Sequence, residues 1–414
     1  MPLSIPYRWR AVAAAFVGMA GGYGAITTIA VLIAPFEGEF GWLRSDLSLA
    51  YMLLTIGAAL GGLIAGRLAD RLPTGPIAAT GAVIVGAGLV AIGFQTRIEA
   101  IQGIYLTIGF LGFACLYAPL LTTVSLWFQR GLGLAVGLVT AGGTLGQALV
   151  PPLFQAMIAG MGWRAACMVL GIGFILTIAP AVLPLRKPPL RVVGAAVEAA
   201  PAWPVAPAVS LPLLALAALT CCILMGVPTV HLVAFALGEG FDAASATRLM
   251  SVLMLSGVVG RIAAGPLVDR LGPLATYAAL SVVQTGTVYL FVLAGTGPLI
   301  HAVAAAYGFG FGGVMTASVC AVRAAVPARS VGSAMALVAL LAWIGMGAGG
   351  YQAGLCFDAT GSYDLPFLFA ALAGAANLAI LGLLALLIRR ARARRAPTAH
   401  RAALPATVPA ALAA

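Results

Sequence analysis

Arg261 lies in the stretch "GRIAAGPLVDR" (260–270), eight residues before Asp269, in a chain where only 8% of residues are charged. On a helix that separation is about 12 Å, at ~1.5 Å per residue. The residues around it are apolar, so its guanidinium falls inside a run of membrane-spanning length. A charge at such a depth costs about 2.5 kcal/mol or more unless it meets a partner or water. The planar, permanently charged fork suits a carboxylate, which it can hold through two parallel hydrogen bonds. Two roles are open to it: binding an anionic substrate, or a structural placement in which it snorkels toward the helix end or pairs near Asp269.

Asp269 belongs to a repeat. "GPLVDRL" (265–271) matches "GRLADRL" (66–72), 199 residues earlier. Arg67, Asp70 and Arg71 in the first copy, and Asp269 and Arg270 in the second, follow stretches bearing Gly57, Gly61 and Gly66 or Gly257, Gly260 and Gly265. Small residues at this spacing let helices approach closely in lipid. The charged ends can bind a neighbouring helix terminus or loop, in gating contacts that break and reform as two halves rock. Superposing the copies sets Gly62 opposite Arg261. One half therefore carries a cation where the other has no side chain.

His231, in "GVPTVHLVAF", is near the middle of an apolar stretch. Its ordinary pKa near neutrality suits a proton carrier or a second substrate donor, while a hydrogen-bonded packing role fits equally well. His301, near a helix start, reads as interfacial. Tyr23, Tyr117 and Trp343 offer a cavity apolar area with a polar tip; Gln147 and Gln155 can donate hydrogen bonds to a ligand or bridge helices. The six cysteines have no ligand-like spacing and read as small apolar residues. The sequence has no phosphate-binding glycine loop with its Lys-Ser/Thr, no zinc-type His/Cys spacing and no Ser/His/Asp set. No enzyme, metal or cofactor chemistry is expected.

The elements that position these residues are membrane helices. With 62% hydrophobic residues the chain cannot cover a water-soluble domain of 414 residues with charge. Apolar runs separated by short polar breaks predict an all-α polytopic membrane protein. Twelve spans are expected at 11–34, 46–65, 77–95, 101–126, 132–158, 164–185, 211–236, 246–268, 274–294, 299–322, 330–354 and 365–388. They divide into a six-helix bundle (1–185), a Pro- and Ala-rich linker (186–210), a second six-helix bundle (211–390) and a disordered basic tail (391–414). The first apolar run is too long for a signal-peptide core and reads as an uncleaved span. With both termini in the cytoplasm, only Arg44, Arg97, Arg164 and Arg248 of the 22 basic residues fall on the other side. That asymmetry obeys the positive-inside rule, and it accounts for the net charge of +11 without nucleic acid. Trp9, Trp42, Trp127 and Trp163 fall near predicted membrane interfaces.

Twelve spans, the central linker and the doubled G-x-x-x-D-R motif resemble the major facilitator superfamily. Within it, "WFQRGLGLAVGLVTAGGTLGQALVPPLFQAMIAGMGWR" (127–164) resembles the fifth-helix signature of monocarboxylate transporters and their oxalate/formate-exchanging relatives. "FEGEFGWLRSDLS" (36–48) and "FDATGSYDLPF" (357–367) also fit bacterial members. The resemblance implies that Arg261 binds the substrate carboxylate. It also places Thr27 where similar transporters carry a lysine, and Gly257 where they carry an aspartate four residues before the arginine. The eleventh span has no lysine, unlike dicarboxylate-exchanging relatives. One cationic group favours a monoanion, and the family's usual proton-carrying pair is absent.

The function expected is secondary transport of a small organic monocarboxylate, lactate- or pyruvate-like, by alternating access, with Arg261, His231, Tyr23, Tyr117, Thr27, Trp343 and Gln147 as substrate residues. Protons are the candidate coupling ion. The alternatives are an organic-anion exchanger, a proton-antiporting exporter of drugs or metabolites, and a membrane sensor on a transporter fold. An exporter of cationic compounds has little use for an uncompensated arginine, and a sensor usually appends a signalling domain. The expected setting is a bacterial inner (plasma) membrane, crossed many times by a monomer.

Overall fold

A computed structural model describes residues 6–128, 132–186, 202–327 and 330–402, with side chains throughout except at Asp70, 132–133 and 395–402. Among the described residues the chain is helical, with no strand. The first half comprises α1 (Tyr7–Phe40), α2 (Arg44–Arg71), α3 (Thr74–Ile92), α4 (Ile98–Thr107), α5 (Ala114–Trp127) and α6 (Leu132–Val182). The second comprises α7 (Pro207–Gly238), α8 (Ala243–Leu271), α9 (Pro273–Val288), α10 (Leu290–Ala294), α11 (Leu299–Ala325), α12 (Val331–Thr360) and α13 (Asp364–Ala402). A π-helical turn at Ile108–Phe113 joins α4 to α5 in one pass.

Among the described residues, ten helical stretches are long and apolar enough to cross a membrane. Two features bring the passes to twelve. First, α6 contains two, joined at Gly162, whose φ of 78° and ψ of 159° are not helical. Contacts with α1 prove the reversal. Gly142, Gly146 and Val150 meet Phe16, Ala20 and Gly24 in parallel order, whereas Ile178 and Val182 meet Gly21 and Gly18 in the opposite order. Second, α9 and α10, interrupted at Tyr289, together form the ninth pass. Interfacial tryptophans mark the ends: Trp127 closes α5, Trp42 lies between α1 and α2, and Trp163 adjoins the reversal.

The repeat seen in the sequence is also a repeat of contacts. Gly109 packs on the Leu54 carbonyl, and Gly308 on the Leu253 carbonyl, both pairs displaced by 199 residues. Gly61 meets the Phe110 carbonyl as Gly260 meets that of Phe309. A β-carbon at Gly260 would overlap the Phe309 oxygen, so α8 and α11 can approach this closely only with glycine there. One step earlier the halves diverge: Gly57 lies on the Leu106 carbonyl, while its counterpart Ser256 donates to the Ala305 carbonyl at 2.5 Å.

An even number of passes returns the chain to the face where it began. The Tyr7 hydroxyl donates to the Pro184 carbonyl and accepts from the Arg186 N–H, tying the start of α1 to the end of α6 at that face. Most of the predicted linker (187–201) lies outside the described residues. Its end does not hang free: Trp203 is buried and donates its N–H to the Ala324 carbonyl. The expected tail begins as helix, because α13 continues to Ala402. Alanine and arginine, both strong helix formers, make up 389–395.

Candidate functional site

A cavity lies between the halves. From the first half, α1 supplies Tyr23, α5 Tyr117 and the first pass of α6 Gln147. From the second, α8 supplies Arg261 and α12 Trp343, with Cys221 and Cys222 from α7 behind them. The π-helical turn ends at Phe113, one turn before Tyr117, and directs both rings inward to a cluster with Tyr23 and Trp343. Such widened turns recur at functional positions in helices. Tyr23 meets Phe113 edge-on at 5.0 Å between centroids, and Tyr117 stands at 90° to Trp343 at 6.0 Å. Trp343 and Tyr23 are 6.2 Å apart, so the cluster spans the seam between halves.

Arg261 is half-buried, and its Nε is fully buried with no hydrogen-bond partner. The described ion pairs are Arg44–Glu37, Arg97–Glu99 and Arg164–Glu39; none includes Arg261. Tyr23 and Tyr117 line the same cavity as Arg261. One turn earlier, Gly257 lies against the Gly308 carbonyl and the Thr144 methyl, with a β-carbon position only 3.2 Å from that oxygen. A carboxylate side chain is absent at this position, so the cation has no counter-ion one turn earlier on its own helix.

Two expected members are elsewhere. Thr27 is buried in α1 and donates to the Gly24 carbonyl, 2.8 Å away. It does not line the cavity, and neither does Gln155. His231 is wholly buried nearer the opposite end of the molecule from the chain termini. Its Nε2 is 2.9 Å from the Gly350 carbonyl, which can only accept, so that nitrogen carries the proton. Nδ1 is then free to accept from the Tyr363 hydroxyl at 3.1 Å. Ser48, on α2 of the first half, approaches Nε2 at 3.1 Å and donates to the Arg44 carbonyl. Sequence position placed His231 at the right depth but could not tell on which side of α7 it points.

His231 belongs to a seal that the sequence reading passed over. Asp358, at the end of α12, accepts from the backbone N–H groups of Arg44 and Ser45 at 3.1 and 2.8 Å. These are the first free donors of α2, which has no side-chain cap of its own. The second half therefore caps a helix of the first. The Arg44 guanidinium bonds Glu37 at 2.6 Å, donates to the Tyr363 hydroxyl at 2.8 Å and lies 3.7 Å over the Phe357 ring. The residues come from "FEGEFGWLRSDLS" and "FDATGSYDLPF", two stretches noted in the sequence without an assigned role. Nearby, Ser251 on α8 donates to the Ala148 carbonyl of α6 at 2.6 Å. The cavity is on the terminus side of this seal, since its α12 wall runs from Met346 back to Met335 near the start of that helix.

The expected gating residues gather at the terminus face. Arg67, Arg71, Asp269 and Arg270 are exposed there, and no described ion pair includes Asp269. The side chain of Asp70 lies outside the described residues. His301 is exposed at the start of α11, as an interfacial residue would be.

The sequence model of the Major Facilitator Superfamily matches residues 14–350. The chain is 29% identical over 390 residues to "Monocarboxylate transporter 13" of Rattus norvegicus, covering 91% of this chain and 88% of that protein. It is 28% identical over 380 residues to "Monocarboxylate transporter 11" of Mus musculus, covering 87% and 83%. Among solved structures, a peptide transporter bound to sulfate superposes with a TM-score of 0.72 at 15% identity, covering 93% of this chain and 94% of the other. A nucleoside transporter superposes with a TM-score of 0.72 at 14% identity, covering 91% and 99%. At these identities the structures establish the fold alone.

Proposed function

Because the chain belongs to the Major Facilitator Superfamily, as a multi-pass membrane transporter related to monocarboxylate transporters and not an enzyme, we propose that it moves a small organic monocarboxylate by alternating access around Arg261. The observation that carries this reading is a cation without a counter-ion among the described residues, half-buried at the cavity between the halves. A bound carboxylate supplies the missing charge and the missing acceptor for Nε in one group. A second anionic group on the substrate would have no matching cation in this wall, so a monoanion fits and a dianion does not. A cationic cargo would face repulsion, which disfavours the exporter reading.

Charge asymmetry supports a cytoplasmic location for both termini. The seal at Asp358, Arg44 and His231 then closes the outer face, and the cavity belongs to an inward-facing state. His231, with both ring nitrogens committed to that seal, supports a structural role over proton carriage; the coupling ion is not one that this residue supplies.

Uptake by protein reconstituted in vesicles tests the reading. Arg261→Gln should abolish carboxylate uptake while the protein remains folded, since the change removes an unpaired charge and strands no partner. Arg261→Lys keeps the charge but loses the fork, so affinity should fall about tenfold, given ~1.5–3 kcal/mol for a charged hydrogen bond. Full uptake in Arg261→Gln would sink the proposal.

A further inference from the structure

We propose that the substrate is a monocarboxylate with an aromatic or comparably broad apolar body, its carboxylate on Arg261 and its body against the ring wall of Tyr23, Tyr117 and Trp343. This deepens the carboxylate reading of the same cavity and rests on it. The three rings pack directly on one another, 6.0 to 6.2 Å between centroids, and form one continuous wall. Its members are mutually oblique: Tyr117 is perpendicular to Trp343, and Tyr23 is tilted 32° from the same indole. A guest ring laid on this wall meets one member by its face and another by its edge, the two arrangements that aromatic quadrupoles favour. Phe113 supports the wall, 5.3 Å from Trp343 and 5.0 Å from Tyr23, so it is braced on both sides of the seam.

The rest of the lining fits the same guest. Cys222, Met225, Met315 and Met346 present soft, polarizable sulfur, which packs well against ring edges and adapts to bodies of different outline. Arg261 is the one charged group in this lining, and Gln147, Ser318 and the tyrosine hydroxyls can take a keto, hydroxyl or ring N–H substituent. A two- or three-carbon acid has too little surface to touch a lining that extends from Tyr23 and Trp343 to Met315 and Met335, whereas sites of this kind bury most of their ligand's surface. An aryl body joins both halves as well: the carboxylate and indole contacts belong to the second half, the two tyrosines to the first.

Binding to the purified full chain in nanodiscs, by calorimetry, separates the possibilities. The panel is propionate, lactate, 3-phenylpropionate, phenylsuccinate and 3-phenylpropionamide. The acid 3-phenylpropionate should bind at least about tenfold more tightly than propionate, as burial of a phenyl group implies. Phenylsuccinate, with a second charge, and the neutral amide should both bind weakly. Trp343→Ala should weaken the aryl acid far more than propionate and so remove most of the preference, and Trp343→Phe should restore it in part. Equal or tighter binding of propionate, or failure of the aryl acid to bind folded protein, overturns the aryl body and leaves the carboxylate reading intact. Equal affinity for acid and amide, unchanged in Arg261→Gln, overturns the carboxylate reading itself.

Discussion

A histidine that donates from one nitrogen to a carbonyl and accepts at the other from a hydroxyl can be replaced, as a hydrogen-bonding unit, by glutamine. His231 has this pattern, through Gly350 and Tyr363. Glutamine cannot take up a proton, so the substitution separates packing from proton carriage. His231→Gln is expected to retain substrate exchange and gradient-driven uptake within a few-fold of the parent protein, measured in vesicles with and without a pH gradient. Exchange retained with gradient-driven uptake lost would make His231 the coupled proton site. The contrast with Arg261 explains what can be read at this scale. An unpaired arginine in an apolar run announces itself, because so few uses repay its placement in a membrane. A histidine does not, since its role depends on the groups it faces, and those come from positions 119 and 132 residues further along the chain.

Helices were legible in their number and order, down to the two passes of α6, because apolar run length fixes them. Their ends extend further than the apolar runs: α1 continues to Phe40 and α2 to Arg71, where polar residues leave the bilayer. The capping of α2 was not legible. Its donors are satisfied by Asp358, some 314 residues away, and no local pattern can announce a cap supplied by another half of the molecule. The dependence can be measured. A carboxylate facing two backbone N–H groups at a helix start stabilises by about 1–2 kcal/mol, of which its charge supplies a part. Asp358→Ala, which removes the acceptor altogether, should therefore raise the population open at this face roughly five- to thirtyfold. A cysteine introduced at Ser48, in a chain without its native cysteines, should react correspondingly faster with a membrane-impermeant maleimide applied to that face. An unchanged labelling rate would show that the cap contributes nothing to closure.

At the scale of the whole molecule, the two halves are built alike and differ where function is sought. The contacts of Leu54 with Gly109 recur at Leu253 with Gly308, so each half can move as a unit whose internal packing is preserved. Arg261 has no counterpart, since Gly62 occupies the equivalent place with open space around it. The seam is the part free to change. It is closed at the face opposite the termini by Asp358, Tyr363 and the bond from Ser251 to Ala148, and the cavity lies on the other side of that closure. If transport proceeds by rocking of the halves, locking this seam should stop turnover without blocking access to the cavity from the terminus side. Cysteines at Ala148 and Ser251, in the same cysteine-free background, can be joined by a short bifunctional thiol reagent. The joined protein should lose uptake in vesicles yet bind carboxylate in detergent with affinity within a few-fold of the unjoined form, because neither position touches the lining. A reagent cleavable by reduction should then return uptake when reduced. Undiminished uptake in the fully joined protein would mean that this seam does not open during transport, and that the halves do not exchange access by rocking about Arg261.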